Sequence, residues 1–171
     1  METAEGWLFL AFTLDGCTRC CVAHHCRADM RGELTTATHA HAMHRQPPTP
    51  GLLHHSARGS QYAATGGITL RMSRTGNPYD NALAERLPVT AVSALRPACG
   101  RLSRSARLVA TLKAECFADS IPPTRAAAEL MAFDSIETFY NSRRRHSSLG
   151  QRSPRNFKAL MFPHNQNHTT N

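Results

Sequence analysis

Aromatic residues are scarce in this chain: Phe, Trp and Tyr make up 6% of it, with a single Trp. A core without many large rings is thin, yet 171 residues with 41% hydrophobic content suffice for one globular domain. Long apolar runs are also missing. The run Trp7–Leu14 falls far short of the ~20 residues that cross a bilayer, which excludes it as a membrane span. The stretch Met1–Gly6 holds two glutamates and no Lys or Arg, so it lacks the basic start of a secretory signal. These absences lead us to expect a cytoplasmic location, and the six cysteines are then expected to be reduced thiols. No internal repeat is visible.

What is present in excess is positive charge, and it is unevenly placed. Residues 1–85 carry seven Lys/Arg and seven Asp/Glu, a balance of zero. Residues 86–171 carry thirteen against five, which supplies the whole net charge of +8. A basic half beside a neutral half favours a polyanionic partner, because each neutralised phosphate releases a counterion.

The apolar run Trp7–Leu14, the turn pair Asp15-Gly16 and then Cys20-Cys21-Val22-Ala23 predict a β-hairpin whose first strand is buried on both faces. Arg31–Arg45 predicts a helix of moderate amphipathicity, ended by Pro47-Pro48. Short strands are expected at Gly51–His55 and Ile68–Met72. Asn77 as N-cap, Pro78 at the first helical position and Asp80 at the third predict a helix running through Glu85. From Arg86 to Ala110 the composition changes to five arginines, two prolines and no acids, and the expectation is a loop or insertion. Helical character resumes at Thr111–Phe117. Thr124 then caps a long helix, with Leu130, Phe133, Ile136, Phe139 and Tyr140 expected on its core face. Ser153-Pro154 opens a short last helix over Arg155–Leu160, and the polar tail is expected to be disordered.

Two constellations carry candidate chemistry. Cys17, Cys20, Cys21, His24, His25 and Cys26 are zinc-type ligands in type but lack the well-spaced pairs of structural sites. Arg143-Arg144-Arg145 is the best phosphate-contact candidate, with Lys113, Arg74, Arg152 and Arg155 behind it, since guanidinium forks match phosphate oxygens. The plainer reading of the triplet is a solvated helix end.

Several blocks occur in an order that narrows the origin of the chain. Glu5-Gly6-Trp7-Leu8-Phe9-Leu10-Ala11 leads to Leu14-Asp15. Then come His55-Ser56-Ala57-Arg58-Gly59-Ser60-Gln61-Tyr62 and Ser73-Arg74-Thr75-Gly76-Asn77-Pro78-Tyr79-Asp80-Asn81-Ala82-Leu83-Ala84-Glu85. Thr111-Leu112-Lys113-Ala114-Glu115, Phe139-Tyr140-Asn141-Ser142-Arg143-Arg144-Arg145-His146-Ser147-Ser148-Leu149-Gly150 and Ser153-Pro154-Arg155-Asn156-Phe157 complete the series. Together they resemble the catalytic half of the transposases of the insertion-sequence-three family, a retroviral-integrase-like group. The resemblance implies an α/β fold of the ribonuclease-H type, a mixed sheet flanked by helices, acting on DNA with Mg²⁺. In that chemistry two ions are held by two aspartates and a glutamate.

On this resemblance Glu85 stands at the third metal-binding position. The second falls at Ala57, where the family block reads HSDRGSQY, and a methyl group cannot coordinate Mg²⁺. The first belongs to a strand expected before Glu5, which is the central strand of the family's sheet, between the second and fourth. Its loss is expected to leave two strand edges unpaired. Spacing departs too: Ala57 to Glu85 is 28 positions (85 − 57), shorter than in the family, and Glu85 to Thr111 is 26, far longer. The arginine-rich 86–110 stretch fills that second gap and is read as an insertion or an out-of-frame segment. The expected organisation is a partial catalytic core over 1–85, that segment, a helical part over 111–160 and a tail from 161. The expected function is that of a DNA-binding transposase core fragment without catalysis, with DNA, itself or a full-length transposase as partner. A noncatalytic DNA-binding or transposase-interacting protein and a zinc-dependent nucleic-acid-binding module are the alternatives.

Overall fold

The computed structural model describes residues 1–47, 53–56, 69–72, 89–95, 108, 112 and 121–163, with backbone alone over the three strands in the middle of the chain. Seven strands occur among them. β1 (Glu2–Thr3) and β2 (Gly6–Trp7) form a small antiparallel ribbon. β3 (Phe9–Asp15), β4 (Cys21–Arg27), β5 (Leu53–Ser56), β6 (Thr69–Met72) and β7 (Val89–Leu95) form a five-stranded mixed sheet in the order β4-β3-β7-β5-β6. Helix α1 spans Gly32–Arg45, α2 spans Arg125–Asp134 and α3 spans Pro154–Met161.

The hairpin forms as the sequence predicts. β3 and β4 pair antiparallel from Phe9↔Arg27 to Leu14↔Cys21, with an irregularity between Thr13 and Leu14. Asp15 fixes the turn: its carboxylate accepts from the Cys17 amide at 2.9 Å and the Thr18 hydroxyl at 3.0 Å. β3 is buried on both faces because both carry partners. Leu10, Phe12 and Leu14 pack with Cys21, Leu108, Leu112, Ile136 and Tyr140. On the α1 side, Val22, Ala23 and Ala42 form a second cluster with Met43 against it. The α1 turns toward the sheet bury Leu34, Thr35, Thr38 and Ala42.

The sheet's centre differs from expectation. The edge of β3 that was expected to be unpaired is not exposed, because β7 pairs parallel with it from Leu10↔Val89 to Asp15↔Ala94. β5 is covered likewise, antiparallel to β7 from Leu53↔Leu95 to Ser56↔Val92. The segment read as an aperiodic loop thus supplies a seven-residue strand, and Leu108 beyond it is a buried helical residue. The misreading has a physical cause. Val89-Thr90-Ala91-Val92-Ser93-Ala94-Leu95 has few bulky residues, and its strand state depends on two waiting ladders more than on its own propensity. β5 and β6 pair in parallel, as two strands joined by a crossover must.

The C-terminal helix starts where its cap predicts: the Thr124 hydroxyl accepts the Ala127 amide at 3.0 Å. Glu5 adds a carboxylate at the same end, accepting the Arg125 amide at 2.8 Å, where the helix dipole favours an anion. Its core face is only in part the expected one: Ile136 and Tyr140 are buried as the spacing predicts, but Leu130, Phe133 and Phe139 are not. Leu130 and Phe133 are exposed at 69% and 52%, while Ala128, Ala132, Ile136 and Tyr140 are buried. The helix thus buries small residues and leaves its larger side chains mostly exposed, with the Phe133 ring edge-on to His24 of β4 at 5.6 Å. From Ser135 to Tyr140 the helix widens into a π turn, closed by the Asn141 amide on the Ile136 carbonyl at 2.8 Å. α3 begins at Pro154 with Ser153 accepting the Asn156 amide, in agreement with the Ser-Pro signal. No helix among the described residues is long and apolar enough to cross a membrane.

Candidate nucleic-acid interface

Several side-chain bonds converge where the π turn meets the hairpin. Asn141 is buried, and its side-chain amide clamps the backbone of Cys21: Oδ1 accepts the Cys21 amide at 2.8 Å and Nδ2 donates to the Cys21 carbonyl at 3.0 Å. The widened turn is what aims this residue at β4, because one extra residue per turn rotates the following side chains. Glu137, one turn earlier, collects cations. Its carboxylate lies 3.6 Å from His24 Nε2, 3.3 Å from Arg45 and 3.5 Å from Arg155, and it accepts from Asn141 Nδ2 at 3.3 Å. The nearby His24 ring, with bonds from Asn141 and Arg45 and against the opposing pull of burial, holds its carboxyl down at about 2.

Immediately past this anchor the chain is basic. From residue 138 to the end there are six Lys/Arg and no acid. Arg143 and Arg145 are exposed and Arg144 is half-buried, with both the Arg143 and Arg144 amides donating to the Phe139 carbonyl at 2.8 Å. Arg152 is exposed, on a bridge that pairs it with His146. Arg143, Arg145 and Arg152 make no ion pair among the described residues, whereas Arg155 is engaged by Glu137. The structure therefore gathers five of the candidate cations on one turn-and-helix unit and separates them into open and engaged groups. Sequence reading missed Glu137 and Asn141. The signal available was their i, i+4 spacing just before an arginine triplet, where a carboxylate pairs with whatever cations fold against it.

The remaining candidates, Glu85, Ala57, Arg74 and Lys113, lie outside the described residues. The strand end next to Ala57 in sequence is described: Ser56, the last residue of β5, pairs with Val92. Asp15 pairs with Ala94 of β7. Asp15 is buried at 2% exposure and bonded by Cys17, Thr18 and Gln46.

The cysteine and histidine cluster is spread over a turn and a strand. Among the described residues no three His, Cys, Asp or Glu come together to hold a metal. Burial pushes the Cys20 thiol up to about 11 and Cys26 up to about 12, and it raises Cys21 as well, so these sulfurs stay protonated at neutral pH. The thiolate is the form that binds metal.

No family model matches the chain, and no solved structure matches it. Curated proteins do. A transposase for insertion sequence element IS904 of Lactococcus lactis is 34% identical over 166 residues, 92% of this chain and 57% of its own length. The uncharacterized 31 kDa protein of insertion element IS600 of Shigella sonnei is 36% identical over the same share of the chain and 53% of its own. The transposase InsF for insertion sequence IS3A of Escherichia coli is 26% identical, again over 92% of the chain and 50% of its own length. The chain spans about half the length of the curated relatives it matches. With nearly all of its residues aligning to such proteins and its motif blocks in order, the chain is a relative of insertion-sequence transposases.

Proposed function

We propose that this chain is a DNA-binding relative of the retroviral-integrase-like catalytic core that does not itself carry out strand transfer. One observation carries the inactive part of the reading: Ala57 stands in the block His55–Tyr62 at the position where the family has a metal-binding aspartate. The donor set does not fit a pair of Mg²⁺ ions. Ala57 offers no oxygen, and the described Asp15 already has its carboxylate taken by three donors. Glu85 is then a weak ligand at most, because Mg²⁺ demands a near-complete oxygen shell and a two-ion clamp needs shared carboxylates.

The five-stranded mixed sheet, covered by helices on both faces, supports a ribonuclease-H-type ancestry. Its centre is filled by β7, a strand from the middle of the chain. DNA binding rests on the open guanidiniums of Arg143, Arg145 and Arg152, with Arg144, Arg74 and Lys113 as further candidates. Binding should be weak, sequence-tolerant and steeply salt-dependent. A second reading, a subunit that joins a full-length transposase or a second copy, draws on the exposed Leu130, Phe133 and Phe139.

The test is a cleavage and strand-transfer assay on element-end DNA with Mg²⁺ or Mn²⁺, using the chain as it stands and a Glu85→Ala variant. No product from either is expected. Cleavage by the parent that disappears in the variant would overturn the inactive reading. Mixing with a full-length relative, followed by sizing, tests the subunit reading.

A further inference from the structure

Residues 141–155 form a loop whose two ends are tied together: the Arg155 amide donates to the Asn141 carbonyl at 2.9 Å. One end is also tied to the sheet through the Asn141 clamp on Cys21. Inside the loop, the His146 amide donates to the Arg152 carbonyl at 3.1 Å and the Gln151 amide to the His146 carbonyl at 3.0 Å. The loop has its own small interior, with His146 and Leu149 both buried and the His146 ring edge-on to Tyr140 at 5.3 Å. The reversal uses two consecutive left-handed residues, Gly150 at φ +63° and Gln151 at φ +60°. A Cβ added at Gly150 would come within 3.0 Å of the Arg152 guanidinium, so the glycine both permits the turn and leaves room for that cation.

We infer that this loop is a preorganised binding element for the phosphate backbone of duplex DNA, with Arg143, Arg145 and Arg152 as the contacts, Arg155 as an internal brace to Glu137, and Gly150 and Asn141 as positioning residues. The inference rests on the DNA-binding reading above and divides its candidate cations by role. A floating arginine triplet would lose side-chain and backbone freedom on binding. Cations mounted on a cross-braced loop have already lost part of it, which favours affinity without adding contacts. No base-edge reader is needed for such a surface, so one duplex should bind much like another.

The experiment is fluorescence anisotropy of the full chain on two labelled duplexes of unrelated sequence over a range of salt. Arg143→Gln, Arg145→Gln and Arg152→Gln should each weaken binding and reduce the slope of log affinity against log salt by about 1. Arg155→Gln should leave the slope unchanged. Gly150→Ala, at an exposed position that leaves the core intact, should weaken binding about three- to tenfold at an unchanged slope, the mark of lost positioning instead of lost charge. Circular dichroism of each variant confirms folding, and Asn141→Ala serves only as a second positioning variant if it passes. Parent protein that binds no duplex at low salt sinks the DNA-binding reading and this inference together. Parent protein that binds, with slopes unmoved by all three glutamine variants or affinity unmoved by Gly150→Ala, overturns this inference alone.

Discussion

β3 and β7 lie side by side in the same sheet and run in the same direction, yet they are held there by different means. β3, Phe9-Leu10-Ala11-Phe12-Thr13-Leu14-Asp15, carries its own reasons to be a strand: bulky apolar side chains, burial on both faces, and a turn sequence that folds β4 back on it. β7 is mostly Val, Ala, Thr and Ser, and it holds its place through backbone ladders to β3 on one side and β5 on the other. One strand organises its surroundings, and the other completes them. The difference matters because, among the described strands, β7 is what joins two half-sheets, β4-β3 and β5-β6.

Substitutions can break this comparison, beginning with the largest effect. Phe12→Ala in β3 empties a fully buried site and is expected to cost about 3–5 kcal/mol, read as the shift in denaturant midpoint at constant slope. Val92→Pro in β7 removes an amide from the middle of the sheet. Its expected signature is a split: amides of β5 and β6 lose hydrogen-exchange protection while those of the β3–β4 hairpin keep theirs. Equal loss in both halves would show that β7 is as much an organiser as β3.

Asn141→Ala leaves the buried Cys21 amide and carbonyl without their partners, and each orphaned group costs roughly 1–3 kcal/mol. That change should weaken the hairpin's attachment to the C-terminal unit while leaving β7 in place. Acid sharpens the same point. The Glu137 carboxyl sits at about 2 in the fold, below the unfolded value of 4.5, so its stabilising contribution is present above pH ~4.5 and is lost as pH falls through about 2. Solvent at this half-open site screens the effect to about 1–2 kcal/mol, and Glu137→Gln should flatten that part of the pH-stability curve. The smallest effect is Thr124→Ala at the α2 cap, ~1 kcal/mol by thermal melting.

Legibility of the fold in the sequence followed the same divide. The hairpin, α1, the Thr124 cap and the Ser153-Pro154 start could be read because each is set by neighbours in the chain: a turn pair, a capping hydroxyl, a proline at the first turn. The outer face of α2 was misread because periodicity reports which residues share a side, not which side meets the sheet. Leu130 and Phe133 are the larger residues, yet Ala128 and Ala132 are the ones buried. At the interface, the arginine triplet was visible as a cluster of like charge. That Arg155 is engaged while Arg152 is open depends on Glu137, which reaches its partners across β4, α1 and α3.

The order of residues alone pointed to insertion-sequence transposases, the hairpin and the basic C-terminal portion, since these depend on motif order, local geometry and composition. Only the folded chain decided that Val89–Leu95 would close the sheet and that Asn141 would pin the basic loop to Cys21. Both are bonds between groups far apart in sequence. Their free energy comes from pairing backbone donors and acceptors that burial would otherwise leave unsatisfied, and no local pattern encodes which distant partner will do so.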